Sequence, residues 1–356
     1  MVTGIGGGGH GEQIYKALRM SENKYDIIGT DMMSESAGLK LADHAYLVPG
    51  ASSPEYIPGI LELCRKHNVK ALFHGSEPEL KAFSRDRDLI RKNGIELFIN
   101  PAHVIETCMD KSATVKFLSN NGFNFPRSVT IRSKADVEQV TFMPVVIKPS
   151  IASGGSANTI IAQNKSELEM FCAYMSGIYS EYIVQEYVGT PESEYTVGVL
   201  LDMQSNLVNS IAVKRFISSS LGCRLKVKNK TGNTSLGEYL IISSGISQGE
   251  IGSFPEVCGP CEKIALALGC TGAVNIQCRL VDGKVYVFEI NPRFSGTTSL
   301  RAMVGYNEPD LLIRKHILGE KILSRFTYKS GFIMRRLEEV FIEHEFVRGL
   351  RGKAIA

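Results

Sequence analysis

The stretch VYVFEINPRFSG, Val285 to Gly296, carries an apolar run into three polar residues at alternate positions, Glu289, Asn291 and Arg293. Successive side chains of an extended chain point to opposite faces. The carboxylate, carboxamide and guanidinium therefore share one face, and Phe288 and Ile290 take the other. The preceding run, GAVNIQCRLV, is separated from it by Asp282-Gly283, a pair suited to a tight hairpin turn. The register of that hairpin decides what faces Glu289. A three-residue loop, Asp282 to Lys284, puts Gln277 across from Glu289, whereas a two-residue loop puts Gln277 opposite Phe288. In the first register Gln277, Glu289 and Asn291 offer oxygen ligands to one Mg²⁺, with a guanidinium beside them for a phosphoryl oxygen. The plainer reading is an exposed polar strand end with a salt bridge.

Composition narrows the setting. The chain has 356 residues, 44% hydrophobic and 22% charged, with a formal net charge of +3. This suits about two or three globular domains and gives no nucleic-acid footprint. No apolar run approaches the roughly 20 residues of a membrane span. The opening MVTGIGGGGHG is glycine-rich rather than a basic segment followed by an apolar one. Eight scattered cysteines do not form a secreted disulfide framework, so a reducing cytoplasm is expected.

The first hundred residues alternate strand-like and helix-like segments: YDIIGTD, SPEYIPGILELCRKHN, VKALFHGSE, PELKAFSRDRDLIRKNG and IELFIN. That alternation predicts a parallel sheet with helices on both faces. HVIETCMDKSATVKFLSNNG reads as one helix ending at Gly122, and FPRSVTI as a strand. Hairpin-like segments follow: PVVIKPS, NTIIAQ, EYIVQEYV, SEYTVGVLL and SNLVNSIAVKRF. They predict antiparallel sheet. The tail GFIMRRLEEVFIEHEFVRGL reads as a strand followed by a short helix.

Two other motifs compete for attention. Overlapping G-x-G-x-x-G matches, Gly4-Gly6-Gly9 and Gly6-Gly8-Gly11, precede a helix, and Asp31 stands where a ribose-binding acid would. A nicotinamide-dependent oxidoreductase is one reading of them. The broader one is a helix N-terminus whose free N–H groups suit any anion. CGPC, Cys258 to Cys261, resembles a dithiol redox pair. However, Val257, Cys261, Ile264 and Leu268 form one apolar stripe, which favours buried structural cysteine with Pro260 near the helix start.

The Glu-x-Asn-x-Arg hairpin, with Gln277 on its partner strand, resembles the metal-binding end of the ATP-grasp superfamily, and other segments agree in order. MDKSATVKFL resembles the family's Asp-Lys helix, which makes Lys111 a phosphate-side lysine. VVIKPS resembles the strand whose lysine, Lys148, reaches the nucleotide phosphates. SIASGGSANT resembles the glycine-rich lid, with Ser153, Gly154, Gly155 and Ser156 over the phosphates. IVQEYVGTPESEYTVGVL resembles the adenine hinge, with Gln185, Glu186, Tyr187 and Val188 at the base and Glu194 at the ribose. Lys214 or Arg215 in IAVKRF would add a phosphate contact.

Within the superfamily, VTGIGGGG, GSEPEL and Gln277 resemble the carbamoyl-phosphate-synthase large-subunit type. This chain departs from it in having a single ATP-grasp unit and no glutaminase segment. The resemblance implies a Rossmann-like parallel-sheet domain over 1–105. An ATP-grasp subdomain with the lid would span 106–187, and a second, with the metal site, 188–356. It implies an ATP-dependent ligase that activates a small-molecule carboxylate as an acyl phosphate for an amine. Lys148 and Arg293 would be catalytic, and one or two Mg²⁺ would bind, with Mn²⁺ as a substitute. Carboxyphosphate or carbamate phosphorylation is the alternative, and a nucleotide-binding module without chemistry the third reading. Gly8, Gly9, His10, Ser76, Glu77, Arg293, Ser295 and Gly296 are expected at the substrate. Ser76 and Glu79 also fit plain helix capping, and Ser295 to Thr297 a simple turn. No nucleic acid or membrane partner is expected, and a homo-oligomer is compatible with the chain.

Overall fold

The structure is a computed structural model that describes residues 1–7, 9–151, 158–352 and 354. The front of the chain holds α1 (His10–Arg19), β1 (Ile28–Asp31), α2 (Ala37–Leu41), β2 (His44–Leu47), α3 (Tyr56–Lys66) and β3 (Ala71–Leu72). It continues with α4 (Glu77–Arg85), α5 (Arg87–Lys92) and β4 (Glu96–Leu97). β1 pairs with β2, and β3 with β4, both in parallel. Val2 bridges Gly29 on one side and Phe73 on the other, also in parallel, so MVT links the two pairs through a single residue. The expected parallel sheet is present, in short pieces.

Two expected helices are each broken in two by an aspartate. Asp86, at φ −101° and ψ 20°, separates α4 from α5. Asp110 separates α6 (Ala102–Met109) from α7 (Lys111–Asn120), and its carboxylate accepts the N–H groups of Ser112 and Ala113. An aspartate satisfies the orphan donors of a new helix better than it continues an old one. The break has a consequence for Lys111, whose N–H now donates to the carbonyl of Ser150 at 3.0 Å.

Next comes a four-stranded sheet ordered β5-β8-β6-β7, with β5 (Ser128–Ile131), α8 (Lys134–Val137), β6 (Val145–Pro149), β7 (Ile160–Ala162), α9 (Lys165–Ser176) and β8 (Tyr182–Glu186). The remainder builds β9 (Glu194–Leu201), β10 (Leu207–Arg215), β11 (Cys223–Lys228), β12 (Tyr239–Ser243), β13 (Gly249–Gly252) and α10 (Pro255–Leu268). After these come β14 (Ala273–Val281), β15 (Lys284–Asn291), α11 (Thr298–Met303), α12 (Glu308–His316), β16 (Gly331–Ile333) and α13 (His344–Arg351). Six of these strands form an antiparallel sheet ordered β15-β14-β9-β10-β13-β16. That sheet is covered on both faces. Val199 and Leu201 join the core that includes α10, while Leu200 joins the core shared with α1 and α12. Burial on both faces explains why β9 reads as a continuous apolar run.

Cys258 and Cys261 lie in the α10 core as the apolar stripe predicts. Pro260, expected near the helix start, sits inside α10, and Pro255 takes the first turn. Among the described residues no helix is long and apolar enough to cross a membrane.

Candidate active site

The β14–β15 hairpin turns through two residues, not three. Val281 pairs with Lys284, and Asp282 and Gly283 carry φ of 49° and 72°, as a type I′ turn requires. From that turn Gln277 should face Phe288. It does not, because the ladder skips Phe288: Cys278 pairs with Val287 and Gln277 with Glu289. This β-bulge restores the register that the metal reading needs. It also changes the parity of the strand. Val285, Val287 and Ile290 all reach one core, and Phe288 lines the cleft beside Glu289 instead of facing away from it.

The cleft lies between the four- and six-stranded sheets. Lys148, at the end of β6, is 8% exposed and donates to Gln185 Oε1 at 2.9 Å and to the Phe288 carbonyl at 3.1 Å. Burial, then the nearby Lys111, brings its pKa down to about 7, against the pull of Glu289 and Glu194. Lys111 lines the same cleft. Gln185 Nε2 donates to Ser128 Oγ at 3.0 Å, which fixes the amide with its oxygen toward Lys148. Glu186 is held by a two-bond contact from Arg127, and the Tyr187 hydroxyl bonds both backbone groups of Ile241.

Glu194 lies 2% exposed between two guanidiniums. Arg215 reaches one oxygen at 2.9 Å and Arg279 the other at 3.0 Å. A carboxylate has about four lone-pair sites, so a hydroxyl can still donate to it. Arg279 also donates to the Val188 carbonyl and covers the Tyr187 ring at 4.4 Å. The sequence reading missed Arg279 and Asn275, although period-2 alternation from Gln277 marks both.

Lys214 is a correction. It points away from the cleft, and its neighbour Arg215 faces inward, 3% exposed, because alternate residues of a strand take opposite faces. Gly8 and the lid residues Ser153, Gly154, Gly155 and Ser156 lie outside the described residues.

A second cavity of about 760 Å³ adjoins the first and shares Gln277 and Glu289 with it. Gly9, His10, Ser76 and Glu77 line its front side, and Asn291, Arg293, Ser295 and Gly296 its back. The back wall is fixed to the front sheet by Asn100, whose amide donates to the carbonyls of Ala273 and Pro292. Arg293 donates to Asn291 Oδ1 at 3.0 Å, to Glu77 Oε1 at 3.1 Å and to the Phe294 carbonyl. Its Nε is buried with no partner among the described residues, as is Arg215 Nε.

His10 and His74 meet edge to face at 5.4 Å. Burial and Arg293 hold both below the usual imidazole range, His74 at about 3, so both are neutral near pH 7. At the floor, Asn275 Oδ1 accepts from Thr196 and from the fully buried Arg301.

Two stretches of the cavity wall also make local structural bonds. Ser76 Oγ caps α4 through the Glu79 N–H, while the Glu79 carboxylate accepts from Gly75 N–H and the Tyr56 hydroxyl. The N–H groups of Ser295 and Thr297 are used inside their own turn, on Thr298 Oγ1 and Ser295 Oγ. Asp31, the candidate ribose acid, accepts instead from the Gly6 and Met33 N–H groups.

Two cavities join at a Gln–Glu pair, with lysines lining one and, among the described residues, guanidinium donors without partners lining the other. Residues 108–297 match the model of the ATP-grasp domain, and residues 4–98 that of the PylC-like N-terminal domain. The chain belongs to the ATP-grasp family. It is 25% identical over 298 residues to the carbamoyl phosphate synthase large chain of Thermoplasma volcanium, covering 81% of this chain and 26% of that one. With the C-terminal section of the same enzyme's large chain from Aquifex aeolicus, identity is 24% over 299 residues, 82% of this chain and 52% of that section. The chain thus spans about a quarter of the full-length relatives it matches.

Among solved structures, biotin carboxylase from Campylobacter jejuni aligns with a TM-score of 0.61 at 15% identity, covering 85% of this chain and 68% of that one. N5-carboxyaminoimidazole ribonucleotide synthetase from Thermotoga maritima aligns at 0.59 and 17%, covering 91% and 77%. These likenesses show the shared fold, with parallel sheets in front and antiparallel sheets behind.

Proposed function

We propose that this chain is an ATP-dependent ligase that joins a small carboxylate to an amine. The observation that carries the reading is the junction of the two cavities. The lysine-lined cleft and the guanidinium-lined cavity meet at Gln277 and Glu289, which places a nucleotide's reactive end against an anionic acceptor. In this reading residues 1–105 supply the acceptor side, 106–187 one wall of the nucleotide cleft, and 188–356 the other wall.

The residues divide the work by charge. Gln185 to Val188 face the base and Glu194 the ribose, while Lys111 and Lys148 neutralise phosphate oxygens. The substrate carboxylate attacks the γ-phosphorus, leaving an acyl phosphate and ADP, and the amine then displaces phosphate. Phosphoryl transfer needs positioning and charge neutralisation more than covalent help. Arg293 Nε, buried and unpaired, is the donor available for charge developing on the acyl phosphate.

The residues fit a hard cation: Glu289 would supply one carboxylate and Asn291 an amide oxygen, and Gln277, whose Nε2 faces Glu289 while its Oε1 accepts from Arg215, would supply its oxygen once its amide turns over. Mg²⁺ takes one or two protein carboxylates and completes its shell with phosphate and water, and Mn²⁺ tolerates the same donors. When bound, the metal would neutralise phosphate charge.

Bicarbonate, activated as carboxyphosphate, is the second choice of acid. An ADP-release screen over bicarbonate, amino acids and small carboxylates, each with and without amines, tests the reading. Acid-dependent ADP release is expected in the native chain and its abolition in Arg293→Ala, with Mg²⁺-ATP binding retained. Thermal stabilisation by Mg²⁺-ATP and none by NAD or NADP is expected alongside. Tight ATP binding with no acid-dependent turnover would leave a binding module instead.

A further inference from the structure

The segment Phe332 to Ile342, FIMRRLEEVFI, has an unusual internal order: three apolar residues, two arginines, a leucine, two glutamates and three apolar residues. Laid antiparallel on a second copy about a two-fold axis through Leu337, its sequence is complementary to its own reverse, although Ile333 lies in its own chain's core and Arg335 bonds to its own chain. Arg336 faces Glu338, Arg335 faces Glu339, Met334 faces Val340, Ile333 faces Phe341 and Phe332 faces Ile342. Directly opposite residues of antiparallel strands are the pairs that stabilise a sheet, and a two-fold interface repeats each of them.

The fold leaves this segment available. β16 pairs with β13 on one side and ends the six-stranded sheet. From Arg336 to Ile342 no backbone group bonds to another described residue. Large apolar side chains stand in solvent along it, with Leu337 73% exposed, Phe341 82% and Phe332 69%. Phe216, at the end of β10, packs its ring 6.1 Å from Phe332 and widens the patch. An unpaired strand edge is a template for another strand, and contiguous exposed apolar surface marks an interaction site.

The Arg335 guanidinium stays with its own chain, donating to the carbonyls of Ser247 and Gly296. Alternation then places Phe332, Met334, Arg336, Glu338, Val340 and Ile342 on the other face. Across the axis that face carries two Arg336–Glu338 pairs flanked by apolar pairs.

We propose that this edge is the interface of a homodimer, in which Phe332 to Ile342 of two copies pair antiparallel about Leu337 and join the two six-stranded sheets. A heterologous partner would have no need of a segment complementary to its own reverse.

Sedimentation equilibrium of the full chain tests it. The expected species has twice the 39.1 kDa of one chain. Arg336→Glu and Glu338→Arg each set like charges opposite one another twice, so each should weaken the dimer by about tenfold or more. The double variant inverts both partners and should restore it. Leu337→Cys places the new thiol opposite itself and should give a disulfide-linked dimer under mild oxidation that the native sequence does not give. All substituted side chains are exposed, so folding should survive, checked by circular dichroism. A monomer at every concentration tested overturns the proposal. So does a dimer indifferent to the single charge reversals, or one that the double variant fails to restore.

Discussion

Lys148 Nζ lies 3.1 Å from the carbonyl oxygen of Phe288, the one residue that the β14–β15 ladder skips. The bulge has two effects at once. It returns Glu289 to a position opposite Gln277, and it frees a carbonyl that helps hold a buried ammonium on the facing sheet. Phe288 thereby ties the two walls of the cleft together.

The protonation of Lys148 is the first consequence. With a pKa near 7 it is about half charged at neutral pH in the free protein. Phosphate oxygens brought against it favour the ammonium and raise that pKa. Nucleotide binding should therefore take up close to one proton per site at pH 8 and little at pH 6, read by calorimetry in buffers of different ionisation enthalpy. Lys148→Met should remove the difference, and an equal uptake in the variant would exclude Lys148 as its source. Folding follows the matching sign. The unfolded chain holds the proton up to about pH 10.4, so the free protein should gain stability as pH rises from about 7 through that window.

Gln277 Nε2 donates to Glu289 Oε2 at 2.5 Å. Gln277→Glu replaces that bond with two facing carboxylates, which should lower stability without divalent cation by about 1–2 kcal/mol. Mg²⁺ should restore it. Urea titrations with chelator and with Mg²⁺ measure both, and a variant that Mg²⁺ does not rescue would argue against a cation at this pair.

Glu194 neutralises two guanidiniums that are themselves nearly inaccessible. Glu194→Ala leaves both charges buried and should cost about 3–5 kcal/mol of folding stability, whereas Glu194→Gln keeps a carbonyl acceptor and should cost less. Equal midpoints for the native chain and Glu194→Ala in denaturant would contradict this balance.

Lys214 and Arg215 are adjacent and opposite in outlook. Lys214→Ala should leave nucleotide affinity within about twofold of native, while Arg215→Met should weaken it and lower stability by removing a partner of Glu194. Titration with a fluorescent ATP analogue separates the two, and a large loss in Lys214→Ala would reverse the assignment.

Legibility differed by region. The hairpin turn, the apolar α10 with its cysteines and the alternation of the front domain follow from local chemistry: Asp-Gly for positive φ, a stripe at helical spacing, strand and helix periods in turn. The helix breaks at Asp86 and Asp110 were harder to see, because each lies within a pattern that is helical on both sides. Lys214 was misplaced because IAVKRF belongs to a strand buried on both faces, where apolar neighbours give no parity.

By itself the sequence determined the ordered set of groups: Lys111 at a helix start, Lys148 and the Gln-Glu-Asn oxygens on strands, and Arg293 just beyond one. Tertiary structure alone decided their facing. The bulge at Phe288, the inward turn of Arg215 and the meeting of Glu77 with Arg293 across 216 positions depend on hydrogen bonds and packing between distant segments. A local pattern cannot carry that information, because one skipped residue moves every following side chain to the other face.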